Sequence, residues 1–382
     1  MSLRLLLSCG EASGDLYAGA LTRELRSLAP DVEIAGLAGP EFASAGGRLI
    51  DDYRGLSVTG FTEIVSMLPR LRAAKARLLA EAKAHRPDAL IAIDYFGFNG
   101  RLARAMKAIG VPVVYYISPQ IWAWRSGRIK LLREVTTRML VIFPFEERIY
   151  REAGVPVEFV GHPLIDLARS VSTRDELAGR LGLDGSAPIV AVLPGSRTSE
   201  LRRILPTQVE AAERILANAP RTQFVFARAP HLDDRLFEPA RRLARSAIVE
   251  GETDAVLAAA DVVLTASGTA TVQAALHGKP MVVVYRVSAL EYRVGRPFVK
   301  VDTFAMVNLI AGTRVVPELI QDDFTAEAVA SEVLSLLTDH ERATRMREQL
   351  AAVRSQLGGP GASRRAAKAI LRTIGATCET QS

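Results

Sequence analysis

Short apolar runs, each ending in small or polar residues and followed by a helical stretch, recur along the whole chain. That alternation is the pattern of a parallel sheet with helices on its faces, and it excludes all-β and bundle architectures. The first instance is Leu3 to Ser8, a short apolar run that reads as a buried strand. Gly10 and Gly14 bracket the polar loop Gly10-Glu11-Ala12-Ser13-Gly14-Asp15, and Leu16, Ala20, Leu21 and Leu25 then recur at helical spacing. In such units ligands gather at the carboxyl ends of the strands, where small residues allow close approach and a helix N-terminus offers free N–H groups. Glu11 and Asp15 would repel a phosphate and suit sugar hydroxyls better. The plainer alternative is a first strand-to-helix turn with Ser13 or Asp15 as helix cap.

The alternation continues through Val32–Leu37, Ala89–Asp94, Val111–Ile117 and Arg138–Phe143 as strands, with helices over 100–109 and 144–153. It pauses at Gly161-His162-Pro163 and restarts after about residue 169 with strands at Ile189, Gln223, Ala247, Val262 and Pro280. The expected organisation is therefore two Rossmann-like α/β domains, 1–166 and 167–345, facing across a cleft, followed by C-terminal helices over 346–382. Those helices pack either on their own chain or on a second copy in a homodimer.

Charge narrows the partners. Lys and Arg total 48 against 42 acidic residues, a net charge of +6, which suits phosphates, nucleotides or an anionic membrane face. The basic residues do not interleave with aromatics as in nucleic-acid-binding modules, so nucleic acid is not expected. Cys9 and Cys378, at opposite ends, offer neither a disulfide framework nor zinc spacing and fit a reducing, cytoplasmic setting. No apolar run reaches the ~18 residues of a membrane span, and the opening lacks a signal peptide's features.

One segment departs from the alternation. Phe61, Ile64, Val65 and Leu68 fall at i, i+3, i+4 and i+7, Pro69 is expected to end that helix, and a second helix then carries Leu71, Leu78 and Leu79 among Arg70, Arg72, Lys75, Arg77 and Lys83. An apolar face flanked by cations fits a helix lying on an anionic membrane, and it also fits an ordinary surface helix.

Candidate chemistry concentrates at strand ends. Asp94 closes a buried strand, as a general base or as a cap of the next helix. His162 sits at the suspected hinge, either structural or hydrogen-bonded to substrate. Trp122 and Trp124 beside Arg125 read as core or as a lipid- or sugar-facing wall. In the second half, Arg197 in Leu193-Pro194-Gly195-Ser196-Arg197 can pair bidentately with phosphate oxygens. The loop Ser267-Gly268-Thr269-Ala270-Thr271 can present N–H groups to an anion. Neither a Walker loop nor a Gly-x-Gly-x-x-Gly motif occurs.

Taken in order, Gly10-Glu11-Ala12-Ser13-Gly14-Asp15, Ile117-Ser118-Pro119-Gln120-Ile121-Trp122-Ala123-Trp124, Gly161-His162-Pro163-Leu164, Leu193 to Arg197, Ser267 to Thr271 and Asn308-Leu309-Ile310-Ala311-Gly312 resemble the lipid-A-disaccharide synthase family over about residues 3–350. The resemblance implies the two-domain GT-B fold with an N-terminal acceptor domain and a C-terminal UDP-sugar domain. It implies an inverting transfer from UDP-2,3-diacylglucosamine to the 6-hydroxyl of 2,3-diacylglucosamine 1-phosphate (lipid X), without metal or other cofactor. It places the enzyme peripherally on the inner face of the bacterial inner membrane, with Phe61, Ile64, Val65 and Leu68 as membrane contacts. It assigns Asp94 as base, with Glu11 and Asp15 orienting sugar hydroxyls or holding the first loop, beside Ser13 and Gly14. His162, Arg197, Ser267, Gly268, Thr269, Gln273, Asn308 and Gln321 become substrate-binding candidates.

Two departures stand out. Many GT-B enzymes carry a glutamate where this chain has Gln273, and some relatives carry a second acid where this chain has Gly97, which leaves Asp94 as the only acid in its loop. The competing expectations are a UDP-N-acetylglucosamine epimerase on the same fold, which has no need of the 61–79 amphipathic segment, and a non-catalytic UDP-sugar-binding protein.

Overall fold

The computed structural model describes residues 2–54, 61–119, 127–288, 292–293 and 303–376, with side chains of the helix Phe61–His85 described from Met67 onward. The chain divides into two units: Met1–Ile165 with Leu357–Ser382, and Asp166–Pro297 with Val301–Gln356.

In the first unit, seven parallel strands are β1 Arg4–Ser8, β2 Glu33–Ala38, β3 Arg48–Asp52, β4 Ala89–Ile93, β5 Val113–Tyr116, β6 Arg138–Val141 and β7 Val157–Phe159, ordered β3-β2-β1-β4-β5-β6-β7. In the second, β8 Ile189–Leu193, β9 Gln223–Arg228, β10 Ser246–Glu250, β11 Val262–Ala266, β12 Met281–Tyr285 and β13 Glu318–Ile320 take the order β10-β9-β8-β11-β12-β13. All the pairings are parallel. Central strands such as β4 (Ala-Leu-Ile-Ala-Ile) and β11 are buried at every residue, as parallel strands covered on both faces must be. The order reverses between β1 and β4 in one unit and between β8 and β11 in the other. Connections leave these neighbours in opposite directions, so each unit has a switch point, the place where sheets of this kind hold their ligands.

Helices Phe61–His85, Phe96–Ala108 and Arg128–Val135 pack side by side on the first sheet, burying Leu78, Leu102, Met106 and Val135 in one cluster. The opposite face carries Ala12–Leu28, against which the last helix, Ala362–Thr373, is packed. That return is tied by His162 N–H to the Leu357 carbonyl (2.8 Å), Arg365 Nε to the Val160 carbonyl (2.8 Å) and the ion pairs Arg364–Glu24 and Arg372–Glu158.

Three expectations need correction. Pro69 does not end a helix: Phe61–His85 runs through it as one element, since a proline removes a single intrahelical bond and a packed apolar face can sustain the rest. The C-terminal segment starts at Leu357, not at 346, because Met346, Leu350 and Val353 are buried on the helix His340–Gln356 of the second unit. The helix after β4 begins at Phe96, four residues before the position expected from sequence.

Candidate active site

In the first unit the loops after β1 and β4 meet at the switch point. Asp94 and Tyr95 both take left-handed backbone, with φ of 42° and 46°. Two successive non-glycine residues there cost on the order of 1–3 kcal/mol each and persist only if the surroundings enforce them. Asn99, fully buried in the first turn of Phe96–Ala108, does so. Its Nδ2 donates to the carbonyls of Ser8 (3.1 Å), Ile93 (3.1 Å) and Asp94 (2.9 Å), and its Oδ1 accepts from Ser8 Oγ at 2.6 Å. Tyr115 Oη also donates to the Asp94 carbonyl, at 2.8 Å. The Asp94 main chain is thus fixed while the residue stays exposed. The N-cap of that helix is Tyr95, so Asp94 is not the cap. The Tyr95 ring lies over Gly10, where an added Cβ would stand 2.2 Å from it, so the first loop needs glycine for close approach. Burial pushes the Tyr95 phenol up to about 12, with the Glu11 carboxylate adding to the effect.

Glu11 is the N-cap residue of Ala12–Leu28 and makes no side-chain cap bond. Neither Ser13 nor Asp15 is that cap. Ser13 is half-buried in the first turn, and Gly14 is buried against Cys9 and Ile93. Of the two readings of Asp15, its contacts are those of a residue that holds the first loop. It is 2% exposed, and its carboxylate accepts from the amides of Gly39 (2.7 Å), Glu41 (2.9 Å) and Phe42 (3.2 Å). It holds the first loop to the start of the helix Pro40–Ser44. Burial raises its pKa, against the three amide bonds. His162 is also buried, edge-on to Tyr17 and tilted on Phe143. Its Nδ1 accepts from Leu164 N–H at 3.2 Å, which puts the ring proton on Nε2, and burial lowers its pKa to about 3.

In the second unit the loops after β8 and β11 flank the other switch point. Arg197 begins the helix Thr198–Asn218 and pairs with Glu200 at 3.2 Å. Gly268, with φ of 147°, caps Thr269–Leu276, and nothing lies within 4 Å of the position of a Cβ there. Ser267 Oγ donates to the Phe304 carbonyl (2.8 Å), and Thr271 Oγ1 to the Gly268 carbonyl (2.8 Å). The small-residue loop with an open face suits a diphosphate. Gln273 turns sideways, donating to Asp254 Oδ1 (3.2 Å), which also meets His277 Nε2 at 2.8 Å.

Two candidates here are turned to the protein instead of a ligand. Asn308, 1% exposed, accepts from Val315 and Val316 amides and donates to the Val316 carbonyl and Glu318. All its hydrogen-bonding capacity is used. Gln321, at φ of 54°, accepts from Val287 N–H at 2.7 Å and donates to the Val287 carbonyl. Both are corrected to loop-holding roles. Glu318, which the sequence reading missed, accepts from the Phe304 and Ala305 amides (2.8 and 2.9 Å) and so fixes the carbonyl that Ser267 uses. Asn99, Glu200 and Asp254 were missed as well. The side chains of Phe61, Ile64 and Val65, and residues Trp122 and Trp124, lie outside the described residues, while Leu68 is half-buried.

Comparison with known proteins bears on the family and on the fold. The profile described as lipid-A-disaccharide synthetase matches residues 5–373. The lipid-A-disaccharide synthase of Koribacter versatilis is 45% identical over 97% of this chain and 98% of its own, and that of Myxococcus xanthus is 43% identical over 97% of each. Among solved structures, the UDP-GlcNAc 2-epimerase of Neisseria meningitidis bound to UDP-GlcNAc superposes with a TM-score of 0.69 at 11% identity, covering 97% of this chain and 100% of that one. The kitacinnamycin glycotransferase gives 0.65 at 17%, covering 98% and 100%. These structural likenesses show a shared two-domain fold of parallel-sheet α/β units. The sequence matches carry the activity, and by them the chain belongs to the lipid-A-disaccharide synthase family, the glycosyltransferases of lipid A biosynthesis.

Proposed function

We propose that the chain transfers diacylglucosamine from UDP-2,3-diacylglucosamine to the 6-hydroxyl of 2,3-diacylglucosamine 1-phosphate, at the inner face of the bacterial inner membrane. The acceptor oxygen bonds to the donor's anomeric carbon as the bond to UDP breaks. A β-1,6-linked disaccharide 1-phosphate and UDP form with inversion. Asp94 accepts the hydroxyl proton, and such a base typically contributes ~10²–10⁴-fold. The observation that carries this role is an exposed Asp94 on a main chain fixed by Asn99 and Tyr115. Arg197 and the amides following Ser267 stabilise charge growing on UDP, a preorganised electrostatic role. Glu11 orients sugar hydroxyls beside Asp94. Helix Phe61–His85 engages the membrane that supplies both acylated substrates.

The test is mass spectrometry of products from both substrates in detergent micelles. Disaccharide 1-phosphate with one equivalent of UDP is expected. UDP alone, or 2-epimerised donor, would overturn the reading. The epimerase alternative has only the shared fold behind it.

A further inference from the structure

The cationic surface of the first unit extends well past the amphipathic helix. The chain's formal net charge is +6. Two adjacent helices, Phe96–Ala108 and Arg128–Val135, carry Arg101, Arg104, Lys107, Arg128, Lys130 and Arg133 against a single acid, Glu134. Six cations against one acid make +5, nearly the whole chain's excess. Their apolar sides are turned inward: Leu102, Ala103, Met106, Leu132 and Val135 are buried. Arg101, Arg104, Lys130 and Arg133 are exposed and have no carboxylate partner among the described residues. Many exposed arginines elsewhere are paired, as in Arg151–Glu147, Arg180–Glu252 and Arg214–Glu210. Lys107 donates to the Glu134 carbonyl and joins the two helices.

Phe61–His85 lies against Phe96–Ala108 on the same side of the sheet and adds exposed Arg70, Arg72 and Lys83. These helices run back from the carboxyl ends of the strands. Arg70, Arg72, Arg101 and Lys130 therefore lie towards the end of the sheet that bears Asp94.

We propose that helices Phe96–Ala108 and Arg128–Val135 form an electrostatic docking face for an anionic phospholipid bilayer, distinct from the apolar contact of residues 61–68. This rests on the reading that the enzyme works at a membrane, and it adds the two helices and the residues that meet its anionic headgroups. A bilayer fits better than a nucleic acid. Of the aromatics on these two helices, Phe98 is buried and Phe96 is half-buried with the Arg128 guanidinium over its ring, and the neighbouring helix begins with Phe61, Ile64, Val65 and Leu68. Each cation close to an anionic surface strengthens partitioning about fivefold, and salt screens the effect.

The experiment is co-sedimentation of the full chain with phosphatidylcholine vesicles, with and without phosphatidylglycerol, at low and high salt. The variant R101Q/R104Q/K130Q/R133Q is expected to lose roughly 100-fold or more of its partitioning into the anionic vesicles. A companion with the three arginines changed to lysine should keep it. Disaccharide formation in neutral detergent micelles should be unchanged in both. Undiminished binding by the glutamine variant would overturn the proposal, as would salt-insensitive binding of the parent or an equal loss in the lysine variant. Absence of disaccharide from the parent would count against the proposed reaction and leave the vesicle result to be judged separately.

Discussion

Asn99 donates to the main-chain carbonyl of Asp94 at 2.9 Å while its Oδ1 accepts from Ser8 Oγ at 2.6 Å. One buried amide therefore couples the ends of the two strands that define the first switch point. Asn99→Leu would leave the Ser8 hydroxyl and several buried carbonyls without their partner, costing about 2–4 kcal/mol. We expect a lower midpoint in thermal unfolding, and in the remaining folded protein a fall in kcat with little change in KM for donor.

Asp94→Asn should behave differently. Asp94 is exposed, and its backbone is held by groups that the substitution leaves in place. Turnover should fall by about 10²–10⁴-fold, with UDP affinity and melting temperature close to the parent's. Isothermal titration with UDP and steady-state kinetics separate the two. Turnover near the parent's would remove Asp94 from the base role.

Glu200 holds the guanidinium that the proposed reaction assigns to the donor's phosphate. It is 13% exposed at the side chain and pairs with the guanidinium at 3.2 Å. Glu200→Gln removes the charge and keeps the size, so UDP should bind more tightly, by about two- to tenfold, as an ion pair of about 1 kcal/mol is released. Arg197→Ala should weaken UDP binding. An affinity unchanged in both variants would separate the pair from the donor site.

His162 makes stability depend on pH. Its pKa is lowered by burial to about 3 in the fold, from 6.5 when exposed. Between these values the unfolded chain binds a proton that the folded chain does not. The full contribution is present above about pH 6.5 and is lost as pH falls, at roughly 1.4 kcal/mol per unit. His162→Asn, which retains an acceptor for Leu164 N–H, should flatten the denaturation midpoint between pH 6.5 and 4.

Gln208 is fully buried on Thr198–Asn218, and neither amide atom finds a partner among the described residues. A buried amide without hydrogen bonds costs about 1–3 kcal/mol. Gln208→Leu is expected to raise the melting temperature by a few degrees, and calorimetry would read it directly.

Much of the fold was legible because parallel strands buried on both faces are continuous apolar runs, and β4, β8 and β11 stand out as such. The loops after β1, β4, β8 and β11 were legible for the same reason, since they are what remains between a strand and a helix. Edge strands β3 and β13 were not, because Arg48-Leu49-Ile50-Asp51-Asp52 and Glu318-Leu319-Ile320 are half exposed and carry charge. Polar residues were harder still. Asn308 and Gln321 have the composition of ligand contacts, and only the fold shows their amides turned onto nearby backbone. Asn99 is the converse: a buried polar residue inside a helix has no one-dimensional signature, and its partner Ser8 is 91 residues away.

The packing of Ala362–Thr373 on Ala12–Leu28 bears on the order in which the two units are made. The first unit contains both the earliest and the latest described helices, so β5, β6 and the exposed side of Ala12–Leu28 lack the cover of Ala362–Thr373 until residues beyond 356 have been synthesised. The second unit, bounded by Asp166 and Gln356, is complete sooner. On a ribosome adding about 5–20 residues per second, the unit translated first is the last to close. Meanwhile the groups that await Leu357, Arg364, Arg365 and Arg372 stay open to solvent or to a chaperone.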